Sequence, residues 1–120
     1  MKLRLRGNTL RLRLTRGEVD AIGRGEAVEE KTELPDGSAF TYRLAVGDQY
    51  DARSSGLGME IEVPGAAGVS WAESEVEVGI NGADPVQIGP LAVLIEKDFT
   101  CLAPREGEEE IDTFPNPNAA

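Results

Sequence analysis

The chain has 120 residues, of which 40% are hydrophobic and 28% are charged, and its formal net charge is −10. This length and composition are typical of one globular domain with its own hydrophobic core. The acidic balance argues against a general nucleic-acid binder, whose surface is basic, and against attachment to membrane surfaces.

Two residue types that carry much of enzyme chemistry are scarce. The chain has no histidine, and Cys101 is its only cysteine. These counts exclude catalytic dyads and triads that need histidine, histidine-ligated metals, cysteine-rich zinc sites and an intrachain disulfide. The chain also has no glycine-rich phosphate-binding motif. We therefore expect no cofactor and no metal, and we favour a function other than catalysis.

The sequence also bears on where the protein works. Its longest apolar run, residues 91–95, is far too short to cross a bilayer, and the first residues show no apolar leader. A chain of this size without a disulfide is usual in a reducing compartment. We therefore expect a cytoplasmic protein that does not associate with membranes.

The first fourteen residues, MKLRLRGNTLRLRL, alternate leucine with lysine or arginine. This period of two predicts strands over 2–6 and 9–14, and Gly7 followed by Asn8 suits a type II′ hairpin turn. In that register Leu5 lies opposite Leu10, and Arg4 lies opposite Arg11. One face of the hairpin is then leucine, and the other, called the basic face below, consists of Lys2, Arg4, Arg6, Arg11 and Arg13.

The basic face contrasts with the rest of the chain. Residues 1–16 hold six cations and no acid, whereas residues 17–120 hold the other six cations and all 22 acids. Like charges opposite each other on a ladder are destabilising, so acidic groups should lie nearby. We favour the strand carboxylates of Glu60, Glu62, Glu75 and Glu77 as their source. Two alternatives stay open: an acidic tail of this chain, or an external nucleic acid or acidic protein. The residues that would meet an external anion are Arg4, Arg6, Arg11 and Arg13.

Further elements follow in chain order. Thr15 and Glu18 have the spacing of a capping box, which predicts a helix of about two turns ending at Gly23 or Gly25. Residues 27–34 and 40–46 form a second predicted hairpin around the turn at 35–38, and 47–57 reads as a loop. Residues 59–63 and 75–80 alternate as strands, and 64–74 are ambiguous, with a short helix as one interpretation.

The last predicted strand, 90–99, is almost entirely apolar, which is typical of a central strand covered on both faces. These elements predict a β-rich α+β domain over residues 1–103. It would have six or seven mostly antiparallel strands, in a barrel or a sandwich, and one or two short helices. Residues 104–120 are acidic and contain proline, which indicates a C-terminal tail.

A few side chains could carry chemistry. Cys101 would be a reactive thiol if a cation such as Lys97 lowered its pKa, although a free cysteine beside apolar residues is usually buried and inert. Carboxylates also recur at a spacing of two, in Glu60 and Glu62, in Glu75 and Glu77, and in Glu96 and Asp98. On a strand such a pair shares one face and could hold a divalent cation or a proton, but it equally describes a polar face.

Residues 1–46 resemble the AbrB/MazE swapped-hairpin family in the order of their elements. The segment RGNTLRLRL, a short capped helix, EAVEEKTEL, a turn containing DG and another strand carry this resemblance. It implies a dimer that binds DNA through basic residues near the turn, here Arg6, Arg11 and Arg13, and an acidic tail that wraps a toxin. Two features depart from the family: Leu14 and Thr15 stand where it has a proline, and about fifty strand-forming residues follow.

The whole chain is similar to a family of small, uncharacterised bacterial proteins. The segments MKLRLRGNTLRLRL, LIEKDFTCL and DTFPNP carry this second resemblance, which spans both ends of the chain. It implies a bacterial cytoplasmic protein and a single domain, with no activity or ligand attached. The favoured interpretation is a non-enzymatic binding or interaction module whose partner could be a protein, and the alternative is a DNA-binding regulator or antitoxin. Nucleic acid would be met only through the first hairpin, and the oligomeric state stays open.

Overall fold

The structure is a computed structural model that describes residues 1–54 and 56–98. This part of the chain contains two helices, α1 (Arg16–Gly23) and α2 (Gly65–Glu73), and nine strand segments. The strands are β1 (Lys2–Arg6), β2 (Thr9–Leu14), β3 (Val28–Glu33), β4 (Ala39–Gly47), β5 (Asp51–Ser54), β6 (Gly58–Pro64), β7 (Ile80–Ala83), β8 (Val86–Ile88) and β9 (Leu91–Lys97).

Eight of these strands form two four-stranded sheets, called sheets A and B. Sheet A has the order β1-β2-β9-β8, and sheet B has the order β3-β4-β6-β5. The α+β, strand-rich class is confirmed, but eight paired strands replace the six or seven predicted. Each sheet is mixed, because its two central strands run parallel while the outer pairs run antiparallel. Within residues 1–54 and 56–98 both sheets have free edges, so neither closes into a barrel there.

The first hairpin has the predicted register. Leu5 pairs with Leu10, Leu3 with Leu12, and Arg4 with Arg11. Gly7 has a φ of 55°, whereas Asn8 does not have a positive φ, as a type II′ turn requires. Strict alternation fixes this register, since a slip of one residue would turn every leucine to solvent.

The capping box at the start of α1 is also confirmed. The Thr15 hydroxyl accepts a hydrogen bond from the Glu18 amide, and the Glu18 carboxylate accepts one from the Thr15 amide. On either side of the cap, Leu14 and Val19 are both buried in the core. The helix ends at Gly23, within the predicted range.

Three local predictions differ from the structure. The segment 47–57 was predicted as a loop, but it contains β5, which pairs with β6. The segment 75–80 was predicted as a strand, but 75–78 is exposed and irregular, and regular strand begins only at Ile80. The ambiguous segment 64–74 is mostly helix α2, which tolerates two glycines because one of them, Gly68, packs against α1.

The two halves of the described chain repeat one arrangement. Two paired strands, a helix and two further paired strands occur first as β1-β2-α1-β3-β4 and again as β5-β6-α2-β8-β9, with β7 inserted after α2. Adding 49 to the numbers of the pair Lys2–Arg13 gives the pair Asp51–Glu62, which the structure also contains. The shift carries Gly7 (φ 55°) onto Gly56 (φ 56°), which makes the second turn the counterpart of the first.

The halves are interleaved rather than side by side. The first hairpin of one half and the last hairpin of the other share each sheet, through the parallel pairs β2–β9 and β4–β6. One core cluster contains buried residues from these four strands and from both helices. Each half therefore completes the sheets of the other, and the described residues of both halves share one core.

Candidate functional site

The basic face lies on the outer pair of sheet A, where β1 is an edge strand. Leu10, Leu12 and Leu14 of β2 are buried in the core, so the residues between them point to the opposite side. Arg11 and Arg13 on that side are half-buried, whereas Lys2, Arg4 and Arg6 on β1 are exposed. The hairpin therefore gathers five cations on one surface, as the alternation predicted.

Glu96 of β9 partly neutralises the inner part of the basic face. Its carboxylate accepts hydrogen bonds from Nε of Arg11 at 2.9 Å and from Nη2 of Arg11 at 3.4 Å. The Nε atom of Arg13 lies 3.9 Å from the same carboxylate. One acid thus serves two arginines, which leaves the inner part of the face with a net positive charge.

A second acid meets the end of the face that lies near the start of the chain. The Nζ atom of Lys2 is 3.3 Å from Oδ2 of Asp98. The Asp98 amide also donates a hydrogen bond to the carbonyl oxygen of Leu14 at 2.9 Å, which fixes the end of β9 against the end of β2. Among the described residues, the acids that form ion pairs with the basic face are therefore Glu96 on the parallel strand β9 and Asp98 directly after it.

Arg4 and Arg6 form the open end of the basic face. Both side chains are exposed, and neither has an ion-pair partner among residues 1–54 and 56–98. Arg4 lies opposite Arg11, whose guanidinium is already bound to Glu96, and Arg6 lies opposite the uncharged Thr9. Two unneutralised guanidinium groups next to a tight glycine turn are the part of this surface that can accept an anion.

The acids predicted to cancel the basic face lie elsewhere, so that prediction is wrong. Glu60 and Glu62 are on β6 in sheet B, where Glu60 binds Arg43 and Arg53, and Glu62 binds Arg53. Glu75 and Glu77 are exposed in the segment that was wrongly predicted as a strand. Local alternation located the carboxylates on strands but carried no information on which strands become neighbours.

The counterpart of the basic face in sheet B is acidic and internally paired. By the shift of 49, Lys2, Arg11 and Arg13 correspond to Asp51, Glu60 and Glu62, and Arg4 corresponds to Arg53. The Arg53 guanidinium binds all three of these carboxylates, at 2.8 to 3.0 Å. Its hydrogen bond, together with the Asp48 amide, lowers the pKa of Glu62, and these carboxylates raise the pKa of Arg53. The two equivalent faces thus carry opposite charge.

The residues proposed for other chemistry are not assembled into a site in the described part of the chain. Lys97 donates a hydrogen bond from Nζ to the Ser74 carbonyl oxygen at 2.7 Å, so its ammonium holds the segment after α2 in place. Cys101 lies outside the described residues, as does the predicted domain boundary at 103. Among residues 1–54 and 56–98, no group of three or more acidic or cysteine side chains is placed to hold a metal ion.

Sequence reasoning did not find the roles of Glu96 and Asp98 at the basic face. Their spacing of two at the end of an apolar strand was visible, and it marked a pair of acids on one face. The missing fact was that β9 pairs with β2 in parallel, from the other end of the described chain. Parallel pairing between strands so far apart in sequence leaves no local pattern.

Comparison with known proteins gives one match. The model of a family of unknown function, DUF7009, matches residues 1–118, so the chain belongs to that family. This confirms the resemblance to a family of uncharacterised proteins. No curated protein and no solved structure matches the chain. Neither helix in the described part is long and apolar enough to span a membrane.

Proposed function

We propose that the chain is a non-enzymatic binding module that takes up an acidic polypeptide segment on its basic face. The observation that carries this proposal is the open end of the face: Arg4 and Arg6 are exposed and have no ion pair among the described residues, while Glu96 occupies only Arg11 and Arg13. Arg11 and Arg13, on the neighbouring strand β2, add electrostatic attraction for the same acidic segment.

An extended acidic peptide fits this surface in spacing. Alternate residues on a strand lie about 7 Å apart, both for Arg4 and Arg6 on β1 and for alternate carboxylates of an extended peptide. Guanidinium groups bind carboxylates in a bidentate manner, as the contact between Arg11 and Glu96 does within the molecule. The protein has a net charge of −10 and therefore repels acidic molecules as a whole. A short acidic segment can still bind, because it meets mainly the positive charge of the basic face.

A DNA-binding regulator is the second candidate, and the interleaved halves favour it. In the swapped-hairpin family that residues 1–46 resemble, two protomers exchange hairpins, and here residues 50–98 supply a second hairpin–helix–hairpin unit within one chain. This would account for the strand-forming residues that an antitoxin lacks. Against DNA stands the charge of the equivalent face, because Asp51, Glu60 and Glu62 would repel the second half of a two-fold site.

Titration calorimetry with a deca-glutamate peptide at low ionic strength tests the first proposal. We expect the full chain to bind the peptide, and we expect Arg4→Glu with Arg6→Glu to weaken binding at least about tenfold, since two attractions become repulsions. The matched control is Arg16→Glu with Lys31→Glu, which changes net charge equally at exposed cations away from the face and without ion pairs among the described residues. If the charge-reversed variant loses its folded circular dichroism spectrum, Arg4→Gln with Arg6→Gln replaces it in the binding measurement.

The outcomes separate the two candidates. Equal weakening by the control pair would mean that overall charge, not the basic face, governs binding, and the proposal would fail. Binding of duplex DNA in place of the peptide, with an affinity that falls steeply as salt is added, would support the regulator instead. A chain that binds neither probe contradicts both candidates.

A further inference from the structure

The basic face ends where the described chain ends, and this places an acidic segment within reach of it. Asp98, the last described residue, lies beside Lys2 and Leu14 at one end of the face. The next 22 residues hold five acids and a single cation, Arg105, and the acids are Glu106, Glu108, Glu109, Glu110 and Asp112. A negatively charged segment that could neutralise Arg4 and Arg6 is therefore part of the same chain.

The tether is long enough. From Lys2 to Arg6 the strand advances four residues, or about 13 Å. Glu106 is eight residues beyond Asp98, and a chain of eight residues can span up to about 28 Å. The segment 106–112 can thus turn back along the face and bring alternate carboxylates to Arg4 and Arg6 without any change in the described strands.

We propose that the segment 106–112 of this chain occupies the open end of the basic face and competes there with an external acidic ligand. The inference rests on the proposed function for the identity of the site, and it adds how access to that site is regulated. Arg4 and Arg6 are then neutralised from within until a partner displaces the segment. The inference does not depend on the DNA-binding alternative, because the group proposed to occupy the face is a carboxylate of this polypeptide.

Tethering sets the size of the effect. A short flexible linker gives an effective concentration on the order of millimolar, so even a weakly attracted segment competes well with a dissolved peptide. When the segment occupies the site, the apparent association constant of an external ligand equals the intrinsic constant multiplied by the fraction of molecules whose site is open. If the segment binds with a dissociation constant on the order of 0.1 mM, the apparent affinity for an external peptide falls about tenfold.

The test compares deca-glutamate binding by two full-length variants. One neutralises the segment, through Glu106→Gln, Glu108→Gln, Glu109→Gln, Glu110→Gln and Asp112→Asn. The control changes five exposed acids without ion pairs among the described residues, through Glu33→Gln, Glu73→Gln, Glu75→Gln, Glu77→Gln and Asp84→Asn. We expect the first variant to bind the peptide about tenfold more tightly than the native chain, and the control to gain much less.

A second measurement reads the contact directly, with no ligand. A nitroxide on Asp112→Cys, in a Cys101→Ser background, should broaden the amide signals of Arg4, Arg6 and Gly7 in the full chain. High salt, or Arg4→Glu with Arg6→Glu, should remove that broadening. Equal peptide affinity in the two neutralised variants, or broadening that does not favour β1, would overturn the inference while leaving the proposed function standing. Broadening at β1 in the native chain, together with no peptide binding by the variant whose segment is neutralised, would instead contradict the proposed function alone.

Discussion

Glu18 joins the first residue of the chain to the start of α1. Its carboxylate accepts hydrogen bonds from the Met1 ammonium at 2.6 Å and from the Thr15 amide at 2.9 Å, and Glu30 also contacts the ammonium at 2.9 Å. Burial alone would raise the pKa of Glu18, but these hydrogen bonds and the ammonium charge lower it. Burial likewise opposes the charge on Met1, yet the two carboxylates raise the pKa of its amine.

These shifts predict how stability depends on pH. A carboxylate with a lowered pKa stabilises the fold above its unfolded value of 4.5, and the stabilisation is lost as pH falls through the folded value. An amine with a raised pKa stabilises the fold below its unfolded value of 8.0, and the stabilisation is lost as pH rises through the folded value. The contribution of the Met1–Glu18 contact is therefore greatest between about pH 5 and 8.

Glu18→Gln isolates this contribution, because glutamine keeps the capping geometry and removes the charge. We expect a loss of about 1 kcal/mol in the free energy of unfolding near pH 6.5, measured by urea denaturation of a chain whose Met1 amine is free. The difference from the native chain should shrink towards pH 3 and towards pH 10. The exposed Glu33→Gln is the control, and a loss that does not vary with pH would show that the ion pair is not its cause.

At the scale of elements, the contact between the two helices depends on small residues. Gly23 of α1 faces Ala72 of α2, and a Cβ added at Gly23 would lie 2.6 Å from the Cβ of Ala72. By the shift of 49 these two positions are equivalent, so the helices meet at matching points of the two halves. The close approach leaves no room for a methyl group on α1 unless the helices separate.

Gly23→Ala should therefore destabilise the protein by about 1 to 3 kcal/mol, the range measured for overpacked cores. Gly17→Ala, in the same helix, is the matched control because a Cβ there meets nothing within 4 Å. Alanine at Gly17 should be neutral or stabilise by up to about 1 kcal/mol through helix propensity. Thermal unfolding of both variants checks the difference, and equal effects would contradict the close helix contact.

Some elements could be predicted from the sequence because their signals are local. The hairpin register followed from strict alternation around Gly7, and the start of α1 followed from the spacing of Thr15 and Glu18. The strand β5 could not be predicted in this way, because its polar sequence becomes a strand only through pairing with β6. The same limit hid the two acids that β9 brings to the basic face.

At the scale of the molecule, the repeat is visible in the backbone and almost absent from the sequence. Equivalent helix positions hold residues of very different size: Val19 corresponds to Gly68, and Ile22 corresponds to Trp71, yet all four are buried. A small side chain in one half leaves room for a large side chain nearby, so the core stays filled although equivalent positions hold different residues. The glycine at each hairpin turn, Gly7 and Gly56, is one of the few residues that are identical in the two halves.

The different residues on the equivalent faces of the two halves also give the molecule one basic face instead of two. Arg53 closes a network with Asp51, Glu60 and Glu62 on sheet B, whereas Arg4 and Arg6 on sheet A stay open among the described residues. A two-fold symmetric ligand would meet opposite charges at the two equivalent faces. A single anionic segment bound in a one-to-one complex is the ligand that this asymmetry suits.

Amide chemical-shift mapping of the labelled full chain during titration with deca-glutamate tests this account most directly. We expect the largest changes on Arg4, Arg6 and the Gly7 turn, with smaller ones on Arg11 and Arg13. We expect no shift at the equivalent positions 51–54 and 60–62 in sheet B. Changes that are largest on sheet B or on the helices, or equal on the two sheets, would contradict the claim that the basic face is the binding surface.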